Sequence, residues 1–137
     1  MALTYLVDTS VLTRLGDSKV RAAIEPKVLA GELARASISD LEVGFSARSG
    51  PEWDRLMKAL EVFDLVEVSA DHLRRARQIQ RQLAAKHQRG RKIPDLIIAA
   101  AAESNKLTVL HYDADFDRIA AVTGQSCEWI VPAGAVD

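Results

Sequence analysis

Five short apolar runs alternate with longer helical segments along this chain, and this alternation restricts the fold more than any other feature of the sequence. The apolar runs predict β-strands at residues 3–7, 35–39, 65–68, 107–110 and 127–131. Capping residues and apolar residues at three- and four-residue spacing predict helices at residues 9–15, 18–29, 39–47, 53–63, 69–88, 94–104 and 116–122. Strands that alternate with helices pair in parallel through right-handed crossovers. The sequence therefore predicts an α/β fold, a three-layer α/β/α sandwich with a central parallel sheet of four to five strands.

The length and composition exclude several classes of protein. A chain of 137 residues, 48% of them hydrophobic, suits one globular domain, which we place at residues 1–137. Cys127 is the only cysteine, so a disulfide scaffold and a multi-cysteine zinc site are both excluded. The longest apolar run, residues 96–102, is far shorter than the ~20 residues of a membrane helix. The N-terminus does not resemble a signal peptide either, so we expect a cytoplasmic protein with no membrane partner.

Acidic residues follow the predicted strands at the points where those strands end. In an open parallel sheet, ligands bind beyond the carboxyl ends of the strands, so side chains placed there converge even when they are distant in sequence. Asp95 does not follow a strand as the other acids do; it stands at the start of the apolar helix that leads into the fourth strand. The acids at these positions are Asp8, Glu42, Asp95 and Asp113, with Asp115 and Asp117 close behind.

Acids at these positions must either lie well apart in the folded protein or have a cation among them. Two unit charges 4 Å apart repel by about 4 kcal/mol at an effective dielectric constant of 20. Four or more carboxylates at that range would cost more free energy than most domains have in total stability. Carboxylate oxygens without nearby cysteine or histidine favour a hard ion, Mg²⁺ or Mn²⁺.

Each acid also has a purely structural interpretation. Asp8 can cap a helix that begins at Thr9. Glu42 can complete a capping box that begins at Ser39, and the helix dipole favours Asp95 in a first turn. An acid that leads into an apolar helix nevertheless needs a partner when it is buried. Within residues 113–117 we interpret the first two acids as functional and Asp117 as supporting them.

Four motifs in this chain resemble the four acidic motifs of the PIN-domain nucleases, and the whole chain is similar to the VapC-type toxins of bacterial toxin–antitoxin pairs. The motifs are residues 6–12 (LVDTSVL), 39–43 (SDLEV), 94–99 (PDLIIA) and 113–116 (DADF). The resemblance implies a Mg²⁺-dependent endoribonuclease, acting as a toxin, that attacks tRNA or a ribosomal RNA loop. It also implies a homodimer that is inhibited by a VapB-type antitoxin.

The same resemblance implies roles for individual residues. The catalytic, metal-binding acids would be Asp8, Glu42, Asp95 and Asp113, with Asp115 as a fifth metal ligand. Thr9 or Ser10 would orient the first carboxylate or contact the scissile phosphate. Two positions depart from the family pattern: His111 stands where threonine or serine is common, and Asp40 adds an acid beside Glu42. His111 either positions a carboxylate or simply ends the strand, and we favour the second interpretation.

The charge distribution independently favours RNA as the substrate. The chain carries a net charge of −1, yet residues 72–92 contain no aspartate or glutamate. Within this segment Arg89, Arg91 and Lys92 lie just ahead of Asp95, and we predict that they bind RNA beside the metal site. For the arginines at positions 74, 75 and 81, RNA binding and an ordinary solvated helix face both remain open.

Three rival functions remain open at this level. A metal-free ribonuclease would use His87 and His111 as acid and base, but it leaves the acids unexplained. A dehalogenase-type phosphatase also has an aspartate after its first strand, but it needs a second aspartate where this chain has Ser10. A catalytically silent interaction module would keep the fold and bind only a partner protein. Residues 53–60 could serve a second copy or an antitoxin, or simply belong to the core.

Overall fold

The computed structural model describes residues 2–88 and 92–137, and its strands form one parallel sheet. Arg89 and Arg91, two of the predicted RNA-binding residues, lie outside the described residues. The strands are β1 (Tyr5–Val7), β2 (Leu33–Ala36), β3 (Asp64–Val66), β4 (Thr108–His111) and β5 (Cys127–Trp129). Their order in the sheet is β3-β2-β1-β4-β5, with every neighbouring pair parallel. The predicted parallel sandwich is confirmed.

Helices cover both faces of this sheet. They are α1 (Thr9–Leu12), α2 (Ser18–Leu29), α3 (Ser37–Gly44), α4 (Gly50–Leu60), α5 (Ala70–Ala85), α6 (Ile93–Ser104) and α7 (Asp115–Thr123). Successive residues of a strand point to opposite faces, so Leu6 and Val7 enter two separate hydrophobic cores. Leu6 packs with residues of α5, α6 and α7, whereas Val7 packs with residues of α1, α2 and α4.

Helix α6 is the most deeply buried of the described helices. Its residues 95–102 are all buried, which agrees with a segment that is apolar nearly all round. Because residues 95–102 are all packed in the interior, the first turn of α6 is held against the carboxyl edge of the sheet, and Asp95 is held there with it. Within the described part of the chain, no helix is both long and apolar enough to cross a membrane.

The segment around β2 departs from its predicted boundaries. Helix α3 begins at Ser37 after Ala36, which makes no side-chain cap, so the capping box predicted at residues 39–42 is wrong. Ser39 instead lies inside the helix and is fully buried. Helix α4 begins three residues before its predicted start at residue 53, because Gly50 and Pro51 form its first turn behind the capping residue Ser49. Proline suits a first helical turn, since it has no N–H to satisfy there and its φ is already helical.

An arginine on β2 fixes α3 and α4 relative to the sheet. The Arg35 guanidinium forms an ion pair with Asp40, with Nε 2.7 Å from Oδ1, and donates hydrogen bonds to the carbonyl oxygens of Leu60 and Phe63. Asp40, whose role the sequence left open, is therefore occupied by a contact within the scaffold. This arrangement holds the helix that carries Glu42.

Candidate active site

Asp8 lies directly beyond β1 and is almost fully buried, with 2% of its surface exposed. Its Oδ2 accepts a hydrogen bond of 3.0 Å from the Ser10 N–H, so it caps α1 as the structural interpretation predicted. Its Oδ1 is also buried and accepts no hydrogen bond from any described residue. The capping role therefore occupies one oxygen and leaves the other available.

Glu42 is held by the hydroxyl group of Thr9, which is itself in contact with the hydroxyl group of Ser39. The Thr9 hydroxyl donates to Glu42 Oε1 at 2.6 Å, and the Oγ of Ser39 lies 2.9 Å from the Thr9 Oγ1. A hydroxyl has one proton, and a carboxylate can only accept, so Thr9 donates to Glu42 and accepts from Ser39. Thr9 therefore orients Glu42 rather than Asp8. Ser39 supports this orientation through its hydrogen bond to Thr9, whereas the sequence had suggested that Ser39 caps a helix.

Three other acids form a cluster of their own. Asp95, Asp113 and Asp115 each offer a carboxylate oxygen, and these oxygens lie within 4.8 Å of one another. The Lys92 ammonium approaches the cluster, with Nζ 2.6 Å from Asp113 Oδ2. The backbone N–H of Asp115 donates to Asp113 Oδ1 at 2.9 Å, which ties the loop after β4 to the same carboxylate. The Oδ2 of Asp95 is buried and has no hydrogen-bond partner within the described residues.

Burial and mutual repulsion shift the pKa values of these acids. Burial raises the pKa of Asp8 to about 6, and the nearby charge of Glu42 acts in the same direction. Burial also raises the pKa of Asp95 to about 8, with further contributions from Asp8 and Asp113. For Asp113 burial acts upward, but the Lys92 hydrogen bond and the Asp115 N–H together hold the pKa below its ordinary value. Burial and repulsion therefore disfavour the ionised forms of Asp8 and Asp95, whereas contacts with Lys92 and the Asp115 N–H favour the ionised form of Asp113.

The four predicted catalytic acids line one open cavity of about 220 Å³. Its other lining residues are Thr9, Ser10, Thr13, Arg14, Lys92 and Tyr112. Ser10 supports the cavity by accepting a 2.9 Å hydrogen bond from the Tyr112 N–H through its Oγ. Arg14 was missed by sequence reasoning, because a basic residue two turns beyond Asp8 carries no motif signal. Its guanidinium lies 5.1 Å from the centre of the Tyr112 ring.

His111 and Asp117 lie behind the cavity. The Nδ1 of His111 accepts a 3.2 Å hydrogen bond from the Asp113 N–H, so His111 helps to position the loop that carries this acid. Its ring packs 5.0 Å from the rings of both Phe116 and Trp129, and burial lowers its pKa. Asp117 is separate from the acid cluster and accepts a hydrogen bond from Trp129 Nε1 at 3.2 Å.

These donors fit a divalent cation. Carboxylate oxygens are the ligands that Mg²⁺ and Mn²⁺ prefer, and a buried oxygen without a hydrogen-bond donor is costly unless something positive approaches it. Asp8 and Asp95 each supply one such oxygen. A fully buried His111 is poorly placed to serve a metal-free acid–base reaction, since its Nε2 is buried as well.

Comparison with known proteins gives a consistent result. The family model described as "PIN domain" matches residues 5–122. Ribonuclease VapC51 of Mycobacterium tuberculosis is 66% identical over 137 residues, which cover 100% of both chains. The structure of VapBC2 from Rickettsia felis bound to a promoter DNA fragment superposes with a TM-score of 0.76 at 16% identity, covering 94% of this chain and 98% of that chain. VapBC-5 from Mycobacterium tuberculosis, a member of the VapBC family of toxin–antitoxin systems, gives a TM-score of 0.63 at 26% identity, covering 96% and 98%.

Proposed function

The chain belongs to the PIN-domain family, among its VapC ribonucleases, and from that premise we propose that it is a Mg²⁺-dependent endoribonuclease. It acts as the toxin of a type II toxin–antitoxin pair and hydrolyses phosphodiester bonds of RNA, either tRNA or ribosomal RNA. One observation carries the proposal. Asp8, Glu42, Asp95 and Asp113 come from four separate segments and line a single cavity, in which two buried oxygens lack any partner among the described residues.

Asp8, Glu42, Asp95 and Asp113 are the residues that would hold the metal, with Asp115 as a fifth ligand. A divalent ion there would lower the pKa of a water molecule and offset charge that develops on the phosphate. The oxygen donors favour Mg²⁺, with Mn²⁺ as the alternative. The 137 residues function as one PIN domain, since its sheet takes strands from both ends of the matched region.

The protein's own residues have distinct tasks in the hydrolysis. Asp95 or Asp113 would align or deprotonate the attacking water, and Asp95 Oδ2 is the better placed of the two because this buried oxygen has no hydrogen-bond partner among the described residues. Thr9 keeps Glu42 in place through the 2.6 Å hydrogen bond. The water oxygen bonds to phosphorus while the bond between phosphorus and the ribose 3′ oxygen breaks, and that oxygen takes up a proton from solvent water. The products are a 5′-phosphate and a 3′-hydroxyl.

The partners follow from the same family membership. We infer a VapB-type antitoxin, because the toxin–antitoxin protein VapBC-5 is 26% identical and superposes over 96% of this chain. A homodimer is part of the same proposal. RNA is the substrate, and the cytoplasm, where tRNA and ribosomes work, is the expected location. Lys92, beside the acids, and the basic residues Arg89 and Arg91 would contact that RNA.

The decisive experiment is to sequence the 5′ ends produced when total RNA is incubated with the purified chain. We expect discrete new ends in Mg²⁺, none in EDTA and none with the Asp8→Asn variant. Asp54→Asn is the matched control, since it removes the same charge from an exposed position on α4. Identical RNA profiles for the wild type and Asp8→Asn would overturn the proposal and favour a silent interaction module of the same fold.

A further inference from the structure

Helix α5 carries a row of exposed arginines outside the site described above. Arg74, Arg77 and Arg81 lie three and four residues apart, which places them on one side of the helix, about one turn from each other. With Gln78, Gln80 and Ala84 they line an open groove of about 630 Å³. We call this surface the arginine groove.

The positive charge of the arginine groove is largely uncompensated. Residues 72–88 contain no acid, and of the three groove arginines only Arg74 forms an ion pair with a described residue, 2.9 Å from the exposed Asp71. Arg77 and Arg81 form neither a hydrogen bond nor an ion pair within residues 2–88 and 92–137. Arg75, on the same helix, shows the contrast, because its Nε lies 2.7 Å from Glu103 and connects α5 to α6. Arg75 is occupied by a contact within the fold, whereas Arg77 and Arg81 are available for a ligand.

The arginine groove extends toward the start of α6. A second cavity, of about 260 Å³, shares Arg77 and Gln80 with the groove and is otherwise lined by apolar residues, including Ile93 at the start of α6. Ile93 directly follows Lys92, whose ammonium pairs with Asp113. Shared lining residues therefore link the arginine row to the start of α6, the helix that also carries Asp95.

We propose that the arginine groove binds phosphates of the RNA substrate away from the bond that is cut. This inference rests on the proposed ribonuclease function and adds a second contact region to it. Guanidinium groups suit the task, because their planar N–H donors match phosphate oxygens in pairs. Contacts to phosphate position a strand without reading its sequence. The groove therefore increases affinity for long RNA and leaves the choice of the cut bond to the cavity.

The first test measures binding of a fluorescent RNA strand at several salt concentrations, in EDTA so that it stays intact. The double variant Arg77→Gln/Arg81→Gln should bind about tenfold more weakly at moderate salt. The slope of log affinity against log salt should fall by about 1.4, since each single-strand phosphate contact contributes about 0.7. Arg55→Gln/Lys58→Gln on α4 removes the same charge from two other exposed residues and should keep the wild-type slope.

The second test separates this inference from the proposed function. A substrate only a few nucleotides long occupies the cavity without reaching the arginine groove, so the double variant should cleave it at the wild-type rate. On long RNA the same variant should show a raised KM with an unchanged kcat.

If the wild type cleaves RNA but the two double variants share its salt slope and KM, the inference is wrong while the function stands. An equal decrease in both double variants would indicate a general charge effect and would also overturn it. If the wild type neither binds nor cleaves RNA, both proposals fail.

Discussion

The two sides of the acidic cavity stabilise their carboxylates by different means. On the hydroxyl side, formed by Thr9, Ser39 and Glu42, neutral hydroxyl groups hold one acid. On the lysine side, formed by Lys92, Asp95, Asp113 and Asp115, acids lie within 4.8 Å of one another and the Lys92 ammonium pairs with Asp113. The hydroxyl side fixes the direction of a carboxylate, whereas the lysine side concentrates acidic groups. For the proposed cation we therefore expect affinity to depend mainly on the lysine side and coordination geometry on the hydroxyl side.

The largest expected effect comes from neutralising the centre of the lysine side. Asp95→Asn should reduce RNA cleavage by about 1,000-fold, because it removes a metal ligand and a proton acceptor. Without metal the same variant should melt several degrees higher at pH 9, since it no longer buries an ionised carboxylate whose pKa is raised to about 8. Glu42→Gln is the control on the hydroxyl side and should lose activity without this gain in melting temperature. A gain in both variants, or in neither, would contradict the comparison.

The pH dependence of stability is the next largest effect. Burial raises the pKa of Asp8 to about 6 and that of Asp95 to about 8, so between pH 4 and pH 8 the folded state holds protons that the unfolded state has lost. The free energy of unfolding of the metal-free protein should therefore fall as the pH rises through this window, by at least about 3 kcal/mol.

Urea unfolding across that pH range measures the effect. Saturating Mg²⁺ should flatten or reverse the trend, because the ion binds only the ionised, folded site. A metal-free protein whose stability rises steadily from pH 4 to pH 8 would show that these two acids are ionised at little cost.

A smaller effect is expected from the ammonium of the lysine side. Lys92→Gln should increase affinity for Mn²⁺ by about fivefold, since the ammonium pairs with Asp113 and competes with an added cation. The increase stays near 1 kcal/mol because the lysine is largely exposed to solvent. Calorimetric titration with Mn²⁺ provides the measurement, and Lys86→Gln, on an exposed residue just beyond α5, provides the control. Weaker Mn²⁺ binding by Lys92→Gln would mean that this lysine assists the metal.

The smallest effect is expected on the hydroxyl side. Ser39→Ala removes one hydrogen bond to Thr9, so it should lower stability by about 1 kcal/mol and the cleavage rate about threefold. Affinity for Mn²⁺ should remain unchanged, because Ser39 supports only the direction of Glu42. A tenfold loss of metal affinity in Ser39→Ala would show that orientation and charge are not divided between the two sides.

The sequence was sufficient to predict the parallel sandwich and the gathering of the acids, for one physical reason. An aspartate that closely follows a run of apolar residues marks the end of a strand and also a position at the carboxyl edge of the sheet, as Asp8 and Asp113 do. The start of α3 was mispredicted because Ser39 and Glu42 match a capping pattern, while the true first residue follows Ala36, which has no capping side chain. Local spacing cannot distinguish these two starts.

Contacts between distant segments were beyond sequence reasoning. One hydrogen bond joins the hydroxyl groups of Ser39 and Thr9, and one ion pair joins Lys92 to Asp113. Each of these contacts depends on how separate elements pack together. Of the two roles open for His111, positioning a carboxylate and ending its strand, we favoured the second, yet its Nδ1 accepts the Asp113 N–H. That contact depends on a ring orientation fixed by Phe116 and Trp129, which no periodic pattern encodes.

The strand order has a consequence for the synthesis of this chain. Strand β1 forms early in translation, but its partner β4 on one side of the sheet comes from the last third of the sequence. Until β4 leaves the ribosome, Asp8 has no Asp113 beside it, and β1 has one unpaired edge. A nascent or truncated polypeptide that stops before β4 therefore lacks the proposed catalytic acid Asp113 and one of the two neighbours of β1.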